Sequence, residues 1–363
     1  MDEQRCFVYL DFAFNGIRVG RVIIQLYTDK VPKSAENFRC LCTGEKGIGQ
    51  KGKPLHYKGS VIHKVIPWCM VQGGDIINGD GTGGESIYGE YFVSENLKLN
   101  HNDEGIVGLA NNGPNKNSSQ FYITSVNFCG QLNGQNVVIG KVVKGLDIVK
   151  YMATVPREND VPQESITIED CGEIKPGDPW NIEENDGTTD IYPPWPNDWD
   201  AEPDYQLTNK ALQDLSNSGN FFYYKENYLK AESKYHKILR YINWYEEKTN
   251  TKKQNPFSQF KCNAILNLSA VQLKINKPEK ALKNCNEVLI KFPNNVKALY
   301  RRGCAKVALK EYDGAIRDLK QAYKIHPDDK KIRNMFELAK SKKKKYLQRE
   351  KLLCSKIFST PNI

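Results

Sequence analysis

The chain has 363 residues, of which 39% are hydrophobic and 26% charged, with a formal net charge of +9; that length provides for two or three separate cores. No apolar run reaches the roughly 18 residues that a membrane helix needs. The opening nine residues carry acids where a targeting peptide would be basic, so a cytosolic or nuclear address is expected and a membrane association is not. In chain order, short alternating runs such as Cys6-Phe7-Val8-Tyr9-Leu10-Asp11-Phe12, separated by Gly and Asn turns, predict strands through residue 175. Helices are predicted at 33–42 and about 146–153. Many short strands with turn punctuation suggest a barrel or a sandwich. Residues 176–205 hold nine acids, no base and three tryptophans, Trp180, Trp195 and Trp199. They read as a linker, and the tryptophans suggest that it lies against a domain.

Beyond Tyr205 the pattern turns helical and repeats. Ser269, Ala281 and Pro293 recur as Gly303, Ala315 and Pro327, each pair 34 residues apart, the tetratricopeptide period. An earlier copy holds Gly219, Ala231 and Tyr235, and a longer stretch near 246–260 displaces the next repeat by sixteen residues. Small residues here let paired helices approach closely, and the prolines end the second helix of each pair. A last basic helix is predicted from about Asp328 to Cys354, with eight bases and one acid across 340–358. This charge asymmetry suggests separate partners for separate segments, and no nucleic-acid-binding motif appears. Ten cysteines without an export signal read as reduced thiols. The Cys40-x-Cys42 pair has no second pair at zinc spacing and the five histidines are scattered, so neither a metal nor another cofactor is expected.

The run Ile62-His63-Lys64-Val65-Ile66-Pro67-Trp68-Cys69-Met70-Val71-Gln72-Gly73-Gly74-Asp75, with Leu109-Ala110-Asn111-Asn112-Gly113-Pro114, Ser119-Gln120-Phe121-Tyr122 and Gly81-Thr82-Gly83-Gly84-Glu85, resembles the cyclophilin signature. The resemblance covers residues 5–175. It implies a closed eight-stranded antiparallel barrel capped by two helices, followed by an all-α repeat domain. Cyclophilin domain (1–175), acidic linker (176–205), three repeats (206–327) and basic tail (328–363) together resemble the forty-kilodalton cyclophilins, co-chaperones of heat-shock protein 90. Cys42 and Cys171 match a cysteine pair of divergent-loop cyclophilins, which carry an insert like residues 47–54; buried thiols and a redox pair are the two readings.

The family is a family of prolyl isomerases, and the resemblance places the catalytic donor at Lys64, where an arginine is usual, with Gln72 and Asn111 beside it. Lysine lacks the planar fork, which matters at a site that depends on direction. Met70, Gln72, Gln120 and Leu132 keep the family type in the proline slot, whereas Cys69 and Tyr122 replace phenylalanines, and Tyr122 is expected to bring a hydroxyl to the pocket. Gln131 replaces a tryptophan that meets cyclosporin, and Asn136 replaces a histidine. Ala110 and Asn111 would bind substrate backbone, with Asn112 bulkier than the usual alanine; Gly81 and Thr82 would border a specificity pocket. His63 reads as a packing or hydrogen-bonding residue, because isomerisation needs no general base. The repeats match a five-residue carboxylate clamp at Ser216, Asn220, Asn267, Lys297 and Arg301, with Ser216 in place of a lysine. These matches imply a co-chaperone that docks acidic chaperone tails and binds proline-containing clients with weakened isomerase activity. A competent isomerase using Lys64 and a non-enzymatic two-module scaffold are the rival readings. The tail is similar to a calmodulin-target or acidic-surface segment, with a solvated capping helix as its alternative.

Overall fold

Asn15 and Gly16 both hold positive φ, 50° and 78°, the geometry of a two-residue hairpin turn whose twist matches its strands. They join β1 (Cys6–Phe14) to β2 (Ile17–Leu26). This computed structural model describes residues 5–251 and 256–358; the ends of the first and last predicted segments (1–4 and 359–363) and residues 252–255 of the inserted stretch lie outside them. The remaining strands are β3 (Ile62–Ile66), β4 (Met70–Gly73), β5 (Ile106–Asn111), β6 (Asn117–Thr124), β7 (Val138–Lys144), the short pair β8 (Arg157–Glu158) and β9 (Val161–Pro162), and β10 (Ile166–Ile174).

Eight of these form one antiparallel sheet in the order β10-β1-β2-β7-β5-β6-β4-β3. It curls until its ends meet. The Gly59 N–H donates to the Ile168 carbonyl at 2.8 Å and the Ile168 N–H to the Ser60 carbonyl at 2.9 Å, so the barrel closes through a short bridge rather than a full ladder. Its interior buries Val8, Leu10, Phe12, Ile24, Val107 and Ile123. The expected helices are present as α1 (Pro32–Thr43) and α2 (Leu146–Met152). Phe38 of α1 packs edge-on to Phe121, 5.3 Å between centroids, and Tyr57 joins both rings; aromatic pairs of this geometry add about 0.5–1.5 kcal/mol beyond their area.

The chain divides into two units, residues 1–184 with 191–200, and residues 185–190 with 201–363. In the first, the tryptophans of the acidic stretch are packed. Trp180 lies 5.4 Å from Phe7 and Trp195 5.6 Å from Tyr151, ring to ring. The Asp198 carboxylate accepts from the Gly145 N–H at 2.8 Å, just before α2, and Lys144 bonds the Asp198 carbonyl and the Asp200 carboxylate.

The second unit is helical: α3 (Tyr205–Tyr224), α4 (Tyr228–Thr249), α5 (Ser258–Lys274), α6 (Pro278–Lys291), α7 (Val296–Ala308), α8 (Tyr312–Ile325) and α9 (Lys330–Phe358). Side chains of Asp204, Asn227 and Asn295 cap α3, α4 and α7. The repeat residues act as their sizes suggest. Ala231, Ala281 and Ala315 are fully buried, and a Cβ on Gly303 would stand 2.6 Å from Leu319 Cγ of the paired helix. Near Lys234 and Lys237 of α4, Asp190 is buried at 1% exposure and bonds both ammonium groups at 2.6–2.8 Å, with Asp186 also on Lys234. The composition of 176–205 reads as a linker and does not show this cluster; Asp190, Lys234 and Lys237 are among the most buried polar residues of the unit.

Candidate peptide-binding sites

In antiparallel strands, residues directly opposite one another share a face. Lys64 of β3 stands opposite Gln72 of β4, and Gln72 opposite Tyr122 of β6. One row therefore carries the predicted donor, Lys64, the glutamine expected beside it, Gln72, and the slot residue Tyr122. The Gln72 Nε2 donates to Gln120 Oε1 at 2.9 Å, and Gln120 Nε2 to the carbonyls of Gly81 and Gly83 at 2.8 and 2.6 Å, which ties the barrel face to the 75–83 loop. Asp75 orders that loop by accepting from the N–H groups of Ile77, Asn78, Gly81 and Gly83. Burial pushes its carboxyl upward, but the four donors outweigh burial and hold it below the usual range. Thr82 is exposed and bonded to Asp80 and Asn78. Lys64 is half-buried, and its ammonium makes no hydrogen bond or ion pair among the described residues.

Cys69, Met70, Tyr122 and Cys129 form an apolar floor, with Ile66, Ala110, Val126 and Leu132 against it. The Tyr122 hydroxyl does not stand in the pocket as expected. It bonds His101 Nε2 at 2.7 Å in the interior, and Gly108, opposite Tyr122 in the sheet, leaves the room, since a Cβ there would run into the hydroxyl. A buried hydroxyl without a partner would cost about 1–3 kcal/mol, and the His101 ring nitrogen removes that cost. Gln131, exposed, reaches back so that its Nε2 lies 3.0 Å from Cys69 Sγ, and Cys129 Sγ donates to the Cys69 carbonyl at 3.3 Å. The Asn136 side chain holds the Leu109 carbonyl and that of Asn111 the Gln135 carbonyl, both at 2.9 Å. These bonds brace the 109–111 edge.

His63 is buried and neither ring nitrogen finds a hydrogen-bond partner among the described residues. It packs under the 75–83 loop, where a Cβ on Gly81 would meet its ring at 2.9 Å, and burial lowers its pKa. Cys42 and Cys171 are buried free thiols; burial pushes Cys171 up to about 12 and Cys42 well above its ordinary value. Glu36, Cys40 and Glu45 converge within 4.8 Å of one another, yet the Arg39 guanidinium already bonds both carboxylates and Cys40 Sγ.

In the second unit, Ser216 and Asn220 lie on α3, Asn267 on α5, and Lys297 and Arg301 on α7. Tyr235 of α4 stands beside three of them, a place the sequence did not disclose. Its hydroxyl donates to Asn220 Oδ1 at 2.8 Å, and Asn267 and Arg301 lie near enough to pull its pKa down against burial. Burial, the largest effect, raises the Tyr235 phenol and lowers the Arg301 guanidinium. Arg301 Nη1 also bonds the Leu266 carbonyl. Lys297 is exposed. Ser216 returns its hydroxyl to the Leu212 carbonyl of its own helix at 2.7 Å, so it presents no donor to the groove.

Residues 9–173 match the family model for the cyclophilin type peptidyl-prolyl cis-trans isomerases, and residues 297–329, covering α7 and α8, match that for the tetratricopeptide repeat. No helix among the described residues is long and apolar enough to cross a membrane. The chain thus joins a cyclophilin-type peptidyl-prolyl isomerase domain to a helical unit that carries a tetratricopeptide repeat.

Proposed function

We propose that this chain is a co-chaperone of the heat-shock protein 90 type: its helical unit grips acidic C-terminal tails, and its cyclophilin-type domain binds proline-containing client segments while isomerising them slowly. Rotation about an X-Pro bond faces a barrier of about 18–20 kcal/mol. Catalysis needs a donor aimed at the prolyl nitrogen as resonance is lost, an apolar slot for the ring, and a grip on the flanking backbone. The row Lys64, Gln72 and Tyr122 over the Cys69–Met70–Leu132 floor supports this reading most directly, with the braced Ala110–Asn111 edge as the backbone grip. Lysine offers a mobile point charge where a rigid fork would direct two donors. Losing the benefit of a directed donor altogether would slow the reaction by about 10²–10³.

For the helical unit, Asn220, Asn267 and Arg301 gathered around Tyr235, with Lys297 exposed nearby on α7, support carboxylate binding. The missing cation at Ser216 makes the clamp weaker by one or two orders of magnitude, at about 1.5–3 kcal/mol per charge-assisted bond. The exposed Lys342, Lys344 and Lys345 of α9 offer a basic face to an acidic partner such as calmodulin. Titrating the full chain with a peptide ending in Glu-Glu-Val-Asp tests the clamp; binding lost in a Lys297→Ala, Arg301→Ala variant supports it, and binding retained removes it. One observation favours a second reading, a competent isomerase: the Lys64 ammonium has no competing partner among the described residues and is available to a substrate.

A further inference from the structure

The hairpin between β3 and β4 turns through Ile66-Pro67-Trp68-Cys69, closed by the Cys69 N–H on the Ile66 carbonyl at 3.0 Å. Proline at the second position of such a turn sets the next residue at its tip. Trp68 stands there 72% exposed, with the Arg157 guanidinium 5.9 Å from its ring centroid. A second large ring is exposed nearby in the fold. Phe128 is 66% exposed and holds φ of +69°, a region where the Cβ of an L-residue crowds the backbone and a bulky aromatic side chain is an outlier. Its ring lies over Gly130, where a Cβ would come within 2.6 Å of Phe128 Cζ.

Each ring belongs to the residue immediately before a cysteine of the apolar floor, Cys69 or Cys129, and those two cysteines touch. Both rings therefore border one end of the floor. The sheet register says which end. Gln120 bonds Gly81 and Gln72 bonds Gln120, whereas Met70, two residues beyond Gln72, pairs with Thr124, four beyond Gln120; Trp68 and Phe128 follow beyond. Water-exposed indole and phenyl faces favour burial, and a side chain kept in a strained backbone conformation points to a role that the strain serves.

We propose that Trp68 and Phe128 form an aromatic shelf that receives a large apolar or aromatic side chain of the bound peptide, flanking its proline on the side away from Gly81 and Thr82. The proposal rests on the peptide-groove reading above and adds its sequence preference. The floor continues into the shelf, so the occupant is the same extended proline-containing chain that fills the slot. The Arg157 charge beside Trp68 disfavours a basic residue at that position.

The test is fluorescence anisotropy with the full chain and labelled five-residue peptides centred on proline, with phenylalanine, lysine or alanine placed before or after it. The native protein should bind a phenylalanine peptide about ten-fold tighter than its alanine counterpart, on one side of the proline only, with lysine weakest there. Trp68→Ala and Phe128→Gly should each cut that ratio to below about three, and Trp68→Phe should restore most of it. Phe128→Gly should also raise the melting temperature, because glycine takes positive φ without strain; this separates loss of the shelf from loss of fold. Equal affinity for phenylalanine and alanine peptides in the native protein, or a preference that survives both variants, would overturn the shelf while leaving the groove. Failure of every proline peptide to bind would overturn both.

Discussion

Replacing Gly219 with alanine tests the link from repeat sequence to clamp geometry. A Cβ at this position would stand 2.6 Å from Tyr235 Cε1 and 3.0 Å from Cδ1, so the ring has to retreat by about 0.8 Å to reach ordinary van der Waals separation. Tyr235 is buried at 2% exposure and has no slack. Its hydroxyl, now 2.8 Å from Asn220 Oδ1, would move past the limit of a useful hydrogen bond, about 3.5 Å. Overpacking costs about 1–3 kcal/mol, and alanine in a helix interior returns about 0.5–1 kcal/mol relative to glycine. The fold should therefore survive with a net loss of roughly 0–2.5 kcal/mol. Binding should suffer more. Asn220 loses the group that orients it, and one weakened hydrogen bond to a carboxylate is worth about 1.5–3 kcal/mol, or roughly a ten- to hundred-fold loss of affinity. Isothermal titration of the full chain with an acidic peptide bearing a free C-terminal aspartate, beside the amidated peptide, reads this directly. Undiminished affinity in a folded Gly219→Ala variant would refute the role given to Tyr235.

Asp190→Ala removes a carboxylate that holds two lysines at 2.6–2.8 Å, with side-chain exposures of 0% for the acid and 5% and 2% for the bases. Breaking a buried pair costs about 3–5 kcal/mol, which urea unfolding followed by far-UV dichroism should show as an earlier loss of helix; a change below about 1 kcal/mol would mean that the cluster is effectively solvated. Burial raises the Asp198 carboxyl to about 6, against the opposing pull of the Gly145 N–H. The proton is thus held more tightly in the folded state than in the unfolded one, where the pKa is about 3.9, so the packing of 191–200 should weaken as pH rises from about 4 to 6 and stay at its weaker level above that. Hydrogen exchange across 191–200 should quicken over that window, and Asp198→Asn should flatten the profile; faster exchange on acidification would contradict the assignment.

Periodicity carried the element plan. Alternation gave the long strands of the barrel, and the 34-residue offset is visible as α6 and α8, both 14 residues, starting at Pro278 and Tyr312. What stayed hidden depends on partners distant in the chain. Asp190 looked like one acid among many because its lysines lie more than 40 residues away. The Tyr122 hydroxyl was assigned to the pocket because nothing local shows that His101 and Gly108 provide an interior place for it. Within the candidate slot, the sequence marked Cys69 and Gln131 as losses of apolar wall. It did not show that these two would bond each other, or that Trp68 and Phe128 would stand exposed beside them, since large rings are ordinarily expected inside.

The most direct test of the account is the rate of X-Pro isomerisation in a short peptide, measured by nuclear magnetic resonance exchange for the full chain and its Lys64→Arg variant. Weakened catalysis through a mobile donor predicts a native kcat/KM at least about ten-fold below that of the arginine variant, with peptide affinity similar in both. A native rate equal to or above that of the variant would contradict it and make Lys64 a fully adequate donor.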